Sequence, residues 1–264
     1  MTDFKVNGLV IQEREIGEND KLLTVLSERY GKLFVIGKGV KSLKNRHMHC
    51  CHLLSYVSLN LRKKGNYYYI TESDLIENFF GIRNDIIKLS LAAFICDVVN
   101  HIAQEGQGED SILRLTLNTL FAILKEKQPF EAIRAAFQIK VLAEAGFYPD
   151  LTSCSICKTA EIHSGYLDLI DGVIICNSCK DKLNFTNSST SFLAKGMDKP
   201  VAIISKSAIE AINFIVNSDS KRFLSFTMDP EDLNILCNLS DKFLLNQLER
   251  GFNSLDLYKS LLKY

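Results

Sequence analysis

Residues Lys21 to Gly39 read KLLTVLSERYGKLFVIGKG, and the way this stretch divides decides the fold. Two β-forming runs are interrupted at Tyr30-Gly31, so they read as two strands hinged by a turn. Upstream, KVNGLVIQERE (5–15) alternates through Val6, Leu9 and Ile11 as a further strand. Downstream, SYVSLNLRKKGNYYYITESD (55–74) is a hairpin with Lys64-Gly65-Asn66 near its turn. Between these lies a basic, glycine-punctuated loop, GKGVKSLKNRHMHCCH (37–52), whose composition suggests mobility. Five short strands with such a loop fit a small closed barrel. The OB-fold is the first candidate and an SH3-like barrel the alternative, because strand count alone does not separate them.

Beyond about Asp74 the period becomes helical. Leu91, Ile95, Val98, Val99 and Ile102 share one helical face, and Leu113, Leu117, Leu120, Phe121 and Leu124 share another in the next helix. A third helix follows Pro129 through Ile133, Phe137 and Val141 and stops at Gly146. NFTNSSTSFLAKGMDKP (184–200) is polar and reads as a loop, followed by helices from Ala208 to Val216 and from Pro230 to Arg250. The expected class is α+β multidomain: an OB-fold barrel (1–78), a helical domain (79–150 and 183–264), and a four-cysteine module (151–182) inserted in the helical domain.

That module has the spacing C-x2-C-x18-C-x2-C at Cys154, Cys157, Cys176 and Cys179. Two thiolates three residues apart grip one side of a tetrahedral ion from a tight turn, and a second pair closes the other side. YLDLI and GVIIC form two β-like runs joined at Asp171-Gly172, which returns the second pair to the first. The expectation is one structural zinc ion. A thioredoxin-type pair would follow a strand in a βαβ unit, and a deaminase zinc site would need H-x-E, whereas His163 is followed by Ser164-Gly165. Cys96 and Cys237 lie in apolar helical patterns and read as core thiols.

The 264 residues are 47% hydrophobic and 23% charged, with zero net charge. The first twenty residues lack the basic and apolar regions of an export signal, and no apolar run is long enough to span a bilayer, so a reducing cytoplasm is expected. The charge is unevenly placed. From Arg29 through Thr71 there are nine Lys or Arg and no Asp or Glu, while the rest of the chain has 22 basic and 31 acidic residues. A barrel with a basic face is a platform for single-stranded nucleic acid, with cations tracking phosphates and aromatic rings stacking on bases. Alternation sets Tyr67 and Tyr69 on one face and Tyr68 on the other, which leaves open which face is the core. The P-loop, G-x-S-x-G and H-E-x-x-H motifs are absent, as is a carboxylate cluster suited to two metals, which disfavours ATP hydrolysis and nuclease chemistry. An adaptor whose barrel contacts only protein is the alternative.

Four segments taken in order resemble the bacterial RecO family of recombination mediators: GLVIQEREIGENDKLLTVLSERYGKLFVIGKGVKS (8–42), LAEAGFYPDLTSCSIC (142–157), GVIICNSC (172–179) and LERGFNSLDLYKSL (248–261). The resemblance runs through essentially the whole chain. It implies an N-terminal OB-fold, a helical domain carrying zinc, and binding of single- and double-stranded DNA with annealing of complementary strands. It also implies action with RecR, often with RecF, to load RecA onto strands coated by the single-stranded-DNA-binding protein. In some members the helical domain contacts that protein's acidic tail. By position, the DNA contacts expected here are the loop with Lys38, Lys41, Lys44 and Arg46 and the hairpin with Arg62, Lys63 and Lys64; Arg14, Lys32 and Tyr68 are added as further candidates. The chain departs from the family at Lys158, where zinc-bearing members usually have Gly.

Overall fold

The computed structural model describes residues 3–108, 110–182, 193–194 and 197–262. By compactness the chain forms two units: Met1–Glu126 with Phe252–Tyr264, and Lys127–Gly251. This line differs from the change in periodicity near residue 78, because the first unit holds helices as well as the barrel.

In the first unit, β1 (Asp3–Ile16), β2 (Asp20–Ser27), β3 (Gly31–Gly37), β4 (Tyr56–Lys64) and β5 (Tyr67–Glu77) close a barrel in the order β1-β2-β3-β5-β4. All neighbours are antiparallel except β3 and β5, which run parallel with Val35 beside Tyr68 and Ile36 beside Tyr69. This is the OB-fold arrangement expected from the strand pattern. Val6, Val10, Leu23, Val25, Leu33, Val35, Val57, Leu59 and Leu61 fill the interior with Cys50 and Cys51. Leu9 and Ile11 are also buried but lie outside that cluster, and a bulge between Val10 and Gln12 shifts the register. Burial on both faces plus the bulge explains why β1 lacks clean alternation.

Three glycines permit the strand reversals. Gly17 (φ 62°), Gly31 (φ 59°) and Gly65 (φ 64°) hold the left-handed backbone that side chains disfavour. At Gly31 a Cβ would also come within 2.2 Å of the Gln104 and Gln107 carbonyl oxygens.

The same unit contains α1 (Phe80–Arg83), α2 (Ile86–Ile102), α3 (Asp110–Lys125) and α8 (Asn253–Leu261). The Asp85 carboxylate caps α2 by accepting from the Ile87 and Lys88 amides at 2.8 and 3.1 Å. α3 departs from its expected stripe: Ile112, Leu113, Leu115, Thr116, Thr119, Leu120, Ala122 and Ile123 are buried, whereas Phe121 is exposed. Thr116 and Thr119 disguise the buried arc in the sequence, because each hydroxyl is satisfied by the carbonyl four residues back.

The second unit contains α4 (Phe130–Glu144), α6 (Lys206–Asn217) and α7 (Pro230–Gln247), with a sheet of order β7-β6-β9-β8. Its strands are β6 (Ser164–Asp168), β7 (Ile174–Cys176), β8 (Leu193–Ala194) and β9 (Met197–Ser205), and α5 (Asn177–Lys182) follows β7. The loop expected over 184–200 is therefore corrected where it is described. Residues 197–200 belong to β9, which pairs with β6 from Val201 to Ser205, and 183–192 with 195–196 lie outside the described residues. Asp198, Lys199 and Pro200 masked the start of the strand in the sequence. α4 and α7 are joined inside by the Arg134–Asp241 ion pair, with Gln138 Nε2 donating to Asp241 Oδ1 at 2.8 Å. Removing one member of such a buried pair leaves a desolvated charge.

Candidate functional site

Strand register assembles one row of side chains across the barrel's outer face. Arg14 on β1 lies opposite Leu22 on β2, Leu22 opposite Ile36 on β3, Ile36 beside Tyr69 on β5, and Tyr69 opposite Arg62 on β4. Cross-strand partners point to the same side of a sheet, so these five form a band. Two residues along, Gln12, Thr24, Phe34, Tyr67 and Lys64 form a second band, with Gln12 opposite Thr24, Thr24 opposite Phe34 and Tyr67 opposite Lys64. Aromatic rings thus occupy the middle of the face, and cations stand at Arg14, Arg62 and Lys64.

Tyr68, the ring chosen from the sequence, is placed differently. It packs against the barrel core beside Phe4, with ring centroids 5.5 Å apart. The rings facing outward are Tyr67, which is exposed, and Tyr69, which is half-buried. The cause is the parallel pairing with β3: Val35 is interior, and its neighbour Tyr68 turns the same way. Phe34 was not singled out from the sequence. The alternation of Leu33 and Val35 inward against Lys32, Phe34, Ile36 and Lys38 carried that signal.

The basic residues are not equivalent. Lys38 Nζ lies 5.6 Å from the Tyr69 ring centroid and Lys63 Nζ 5.6 Å from that of Tyr68, both in cation–π range. Lys32 Nζ donates to the Asn100 carbonyl at 2.8 Å and ties β3 to the end of α2. Lys41 Nζ pairs with Glu15 at 2.7 Å, and Arg62 grips Asp3 at 2.8 and 2.7 Å. The hydrogen bond from each cation holds its carboxyl below the ordinary carboxylate range. Arg46 donates to the Thr71 carbonyl at 3.1 Å and to His47 Nε2. Lys44 and Lys64 are exposed.

The loop carrying Lys38 to Arg46 is pinned, contrary to the mobility its glycines suggested. Gly39 N donates to Asp20 Oδ1 at 2.7 Å, Lys41 N to the Asn19 carbonyl at 3.1 Å, and Asn45 Nδ2 to the Lys38 carbonyl at 2.9 Å. The buried Cys50 and Cys51 hold its far side, and burial pushes the Cys51 thiol up to about 12.

The second site lies in the other unit. The Sγ atoms of Cys154, Cys157, Cys176 and Cys179 all fall within 4.8 Å of one another, and Cys157 Sγ stands 3.7 Å from Cys176 Sγ. A tetrahedral ion with metal–sulfur bonds of about 2.3 Å requires sulfurs about 3.8 Å apart, so the donor set fits one ion. Burial raises the Cys154 thiol, but amide donors from Cys176, Cys157 and Ile156 outweigh it and bring the thiol to about 6. Burial and hydrogen bonds among the four sulfurs push Cys179 up to about 12. A bound cation would supply the charge that lets all four act as thiolates. The module's β6–β7 hairpin returns Cys176 to Cys154, whose sulfur accepts from Cys176 N at 3.4 Å.

The backbone at Lys158 takes the conformation that favours the glycine expected there. It has φ 62° while its amide donates to the Cys154 carbonyl at 2.9 Å, a left-handed position that closes the first cysteine turn. Replacing Lys158 with Gly should stabilise this module by up to about 1 kcal/mol. Thermal melts of the two proteins check this.

A closed five-stranded barrel with a ring-and-cation outer face, together with helices and a four-cysteine cluster able to hold a metal ion, defines a two-unit protein of the OB-barrel class. Comparison with known proteins makes this specific. The profile for the recombination protein O N-terminal region matches residues 1–79, and that for its C-terminal region matches 83–256. The chain belongs to the RecO family. It is 30% identical over 262 residues to the DNA repair protein RecO of Acetivibrio thermocellus, covering 99% of this chain and 98% of that one. Its identity to the DNA repair protein RecO of Alkaliphilus metalliredigens is 26% over 259 residues, covering 98% and 99%. No helix among the described residues is long and apolar enough to cross a membrane.

Proposed function

We propose that this protein is a non-catalytic mediator of DNA repair and recombination, acting in the bacterial cytoplasm. Its barrel binds single- and double-stranded DNA through the outer face and anneals complementary strands. The observation that carries this reading is the pair of cross-strand bands, which set Tyr67, Tyr69 and Phe34 among Arg14, Arg62 and Lys64, with Lys38 over the Tyr69 ring. Exposed rings accept bases of any sequence, and cations on either side take the phosphates. Neutralising phosphates on two strands lowers their repulsion, so pairing proceeds without a chemical step. Among the sequence candidates, Lys44 and Lys64 are the freest to contact phosphate, whereas Lys32 has a structural task at Asn100.

The partners of this reading are RecR, RecF in some circumstances, and the single-stranded-DNA-binding protein, with RecA loading as the outcome. For the acidic tail of that last protein we assign a groove of about 390 Å³ in the second unit. Val201, Ile203, Ile235 and Leu239 line it, with Lys242 at its edge, so it offers an apolar seat beside a cation. The metal is assigned as one zinc ion, because four cysteines form a closed sulfur shell of the structural kind. The division into residues 1–78, 79–150 with 183–264, and 151–182 is retained as a proposal about functional modules.

Annealing of complementary strands coated by the single-stranded-DNA-binding protein tests the function. The protein should accelerate annealing on coated strands and lose that advantage when the coat protein lacks its acidic tail; no acceleration in either case would overturn the reading. A second test uses the barrel's own carboxylates. Glu15→Gln releases Lys41 and removes a negative charge beside the Lys38–Arg46 loop, so affinity for single strands should rise about three- to tenfold at low salt. Fluorescence anisotropy titration measures this.

A further inference from the structure

We propose that Leu43 is an apolar wedge that enters between bases of a bound single strand, an inference that rests on the reading of the barrel as a DNA platform. Leu43 is 87% exposed, ahead of Tyr148 at 63% among the large apolar side chains described. A single exposed leucine is ordinary on a protein surface. This one differs in being held out by a fixed backbone.

Hydrogen bonds secure the loop on both sides of it. Ser42 N donates to the Gly39 carbonyl at 3.1 Å, and Asn45 N returns to the Ser42 carbonyl at 2.9 Å. Gly39 bonded to Asp20 and Lys41 to Asn19 anchor this turn to the β1–β2 connection, and Asn45 bonded to Lys38 closes the loop on itself. Leu43 therefore occupies the tip of a preorganised turn.

The surroundings decide what the tip meets. Lys41 and Lys44 flank it in sequence and Lys38 and Arg46 bound the loop, so an incoming ligand is selected for negative charge. The loop also borders the ring-bearing face, because Lys38 sits over Tyr69 and Arg46 bonds to the Thr71 carbonyl. A polyanion that presents flat apolar surfaces inside a charged backbone matches both features, and nucleic acid has that chemistry. Leucine is among the side chains that separate stacked bases when held rigidly against them. In a single strand the stacking to be broken is weak, so the wedge holds neighbouring bases apart and leaves their pairing edges free. A membrane is the competing polyanionic surface, but one leucine offers little burial there.

The test uses the full chain and a single-stranded oligonucleotide carrying 2-aminopurine at successive positions, since unstacking brightens that base. Wild type should brighten the probe at a defined position. Leu43→Ala should abolish the brightening and weaken binding about three- to tenfold while leaving the salt slope unchanged, and Leu43→Phe should restore both. Equal brightening and affinity for wild type and Leu43→Ala would overturn the wedge, as would loss of binding to anionic phosphatidylserine vesicles alone. If wild type fails to bind the oligonucleotide at low salt, the platform reading itself falls, whatever residue 43 does. Matching thermal melts of the variants exclude misfolding as the cause.

Discussion

Replacing Lys38, Lys44 and Lys64 together with alanine is expected to lower single-strand affinity about a hundredfold at low salt and to flatten the salt dependence by about two. Each lysine that neutralises a phosphate releases condensed counterion, so on a single strand its loss removes about 0.7 of a unit from the slope of log affinity against log salt. The structure makes the expectation selective. Lys44 and Lys64 are exposed, and Lys38 lies over a ring that itself faces outward. Lys41 carries the same formal charge but already shares it with Glu15 at 2.7 Å. Deleting Lys41 and Glu15 together should therefore leave affinity within about twofold of wild type, because the local charge does not change. Anisotropy titrations between about 50 and 200 mM salt measure both slopes. An unchanged slope for the triple variant would remove the basic face from the account.

Loss of one cysteine from the metal module is expected to have the largest effect on stability. Cys154→Ser should reduce bound zinc from about one ion per chain to nearly none and release the fold around the β6–β7 hairpin. Structural zinc in small modules contributes an apparent 10–16 kcal/mol or so, comparable with or above the whole stability of an ordinary domain. The apolar cluster beside the cysteines is small, with Ile162 and Ile175 packed among Cys154, Cys176 and Cys179. The cysteine end of the module is therefore expected to depend on the ion, whereas β6 is also held by its pairing with β9. Hydrogen exchange should accelerate through residues 151–182, while affinity for single strands stays within about threefold of wild type because the rings and cations belong to the other unit. Metal analysis, hydrogen exchange and one binding titration check the three parts. A metal-free variant with unaltered melting and exchange would show that the cysteines have no structural task.

The barrel was legible because its turns are spelled out by Gly17, Gly31 and Gly65, whose positive φ values coincide with breaks between β-forming runs. The four-cysteine cluster was legible because the spacing that suits thiolate ligands survives without knowledge of the surrounding fold. Helix α3 was harder: Thr116 and Thr119 are polar in the sequence yet buried in the structure, since each hydroxyl bonds within its own helix. The basic face of the barrel was legible as a charge asymmetry but not as a surface. Three consecutive tyrosines carry no sign of which faces inward, and only the long-range pairing of β5 with β3 turns Tyr68 into the barrel and leaves Tyr67 and Tyr69 outside. The ion pairs that distinguish Lys41 and Arg62 from Lys44 and Lys64 also depend on partners far along the chain, with Arg62 and Asp3 separated by 59 residues. Local sequence cannot rank cations whose counter-charges are set by register.

Photo-crosslinking tests the central claim most directly. Bromodeoxyuridine in a single-stranded oligonucleotide couples on irradiation to aromatic rings in stacking contact, and mass spectrometry then identifies the attached residue. Attachment at Tyr67 and Tyr69, with Tyr68 unmodified, is the expected result. Attachment confined to Lys127–Gly251, or at Tyr68 in preference to its neighbours, would contradict the assignment of DNA to the barrel's outer face.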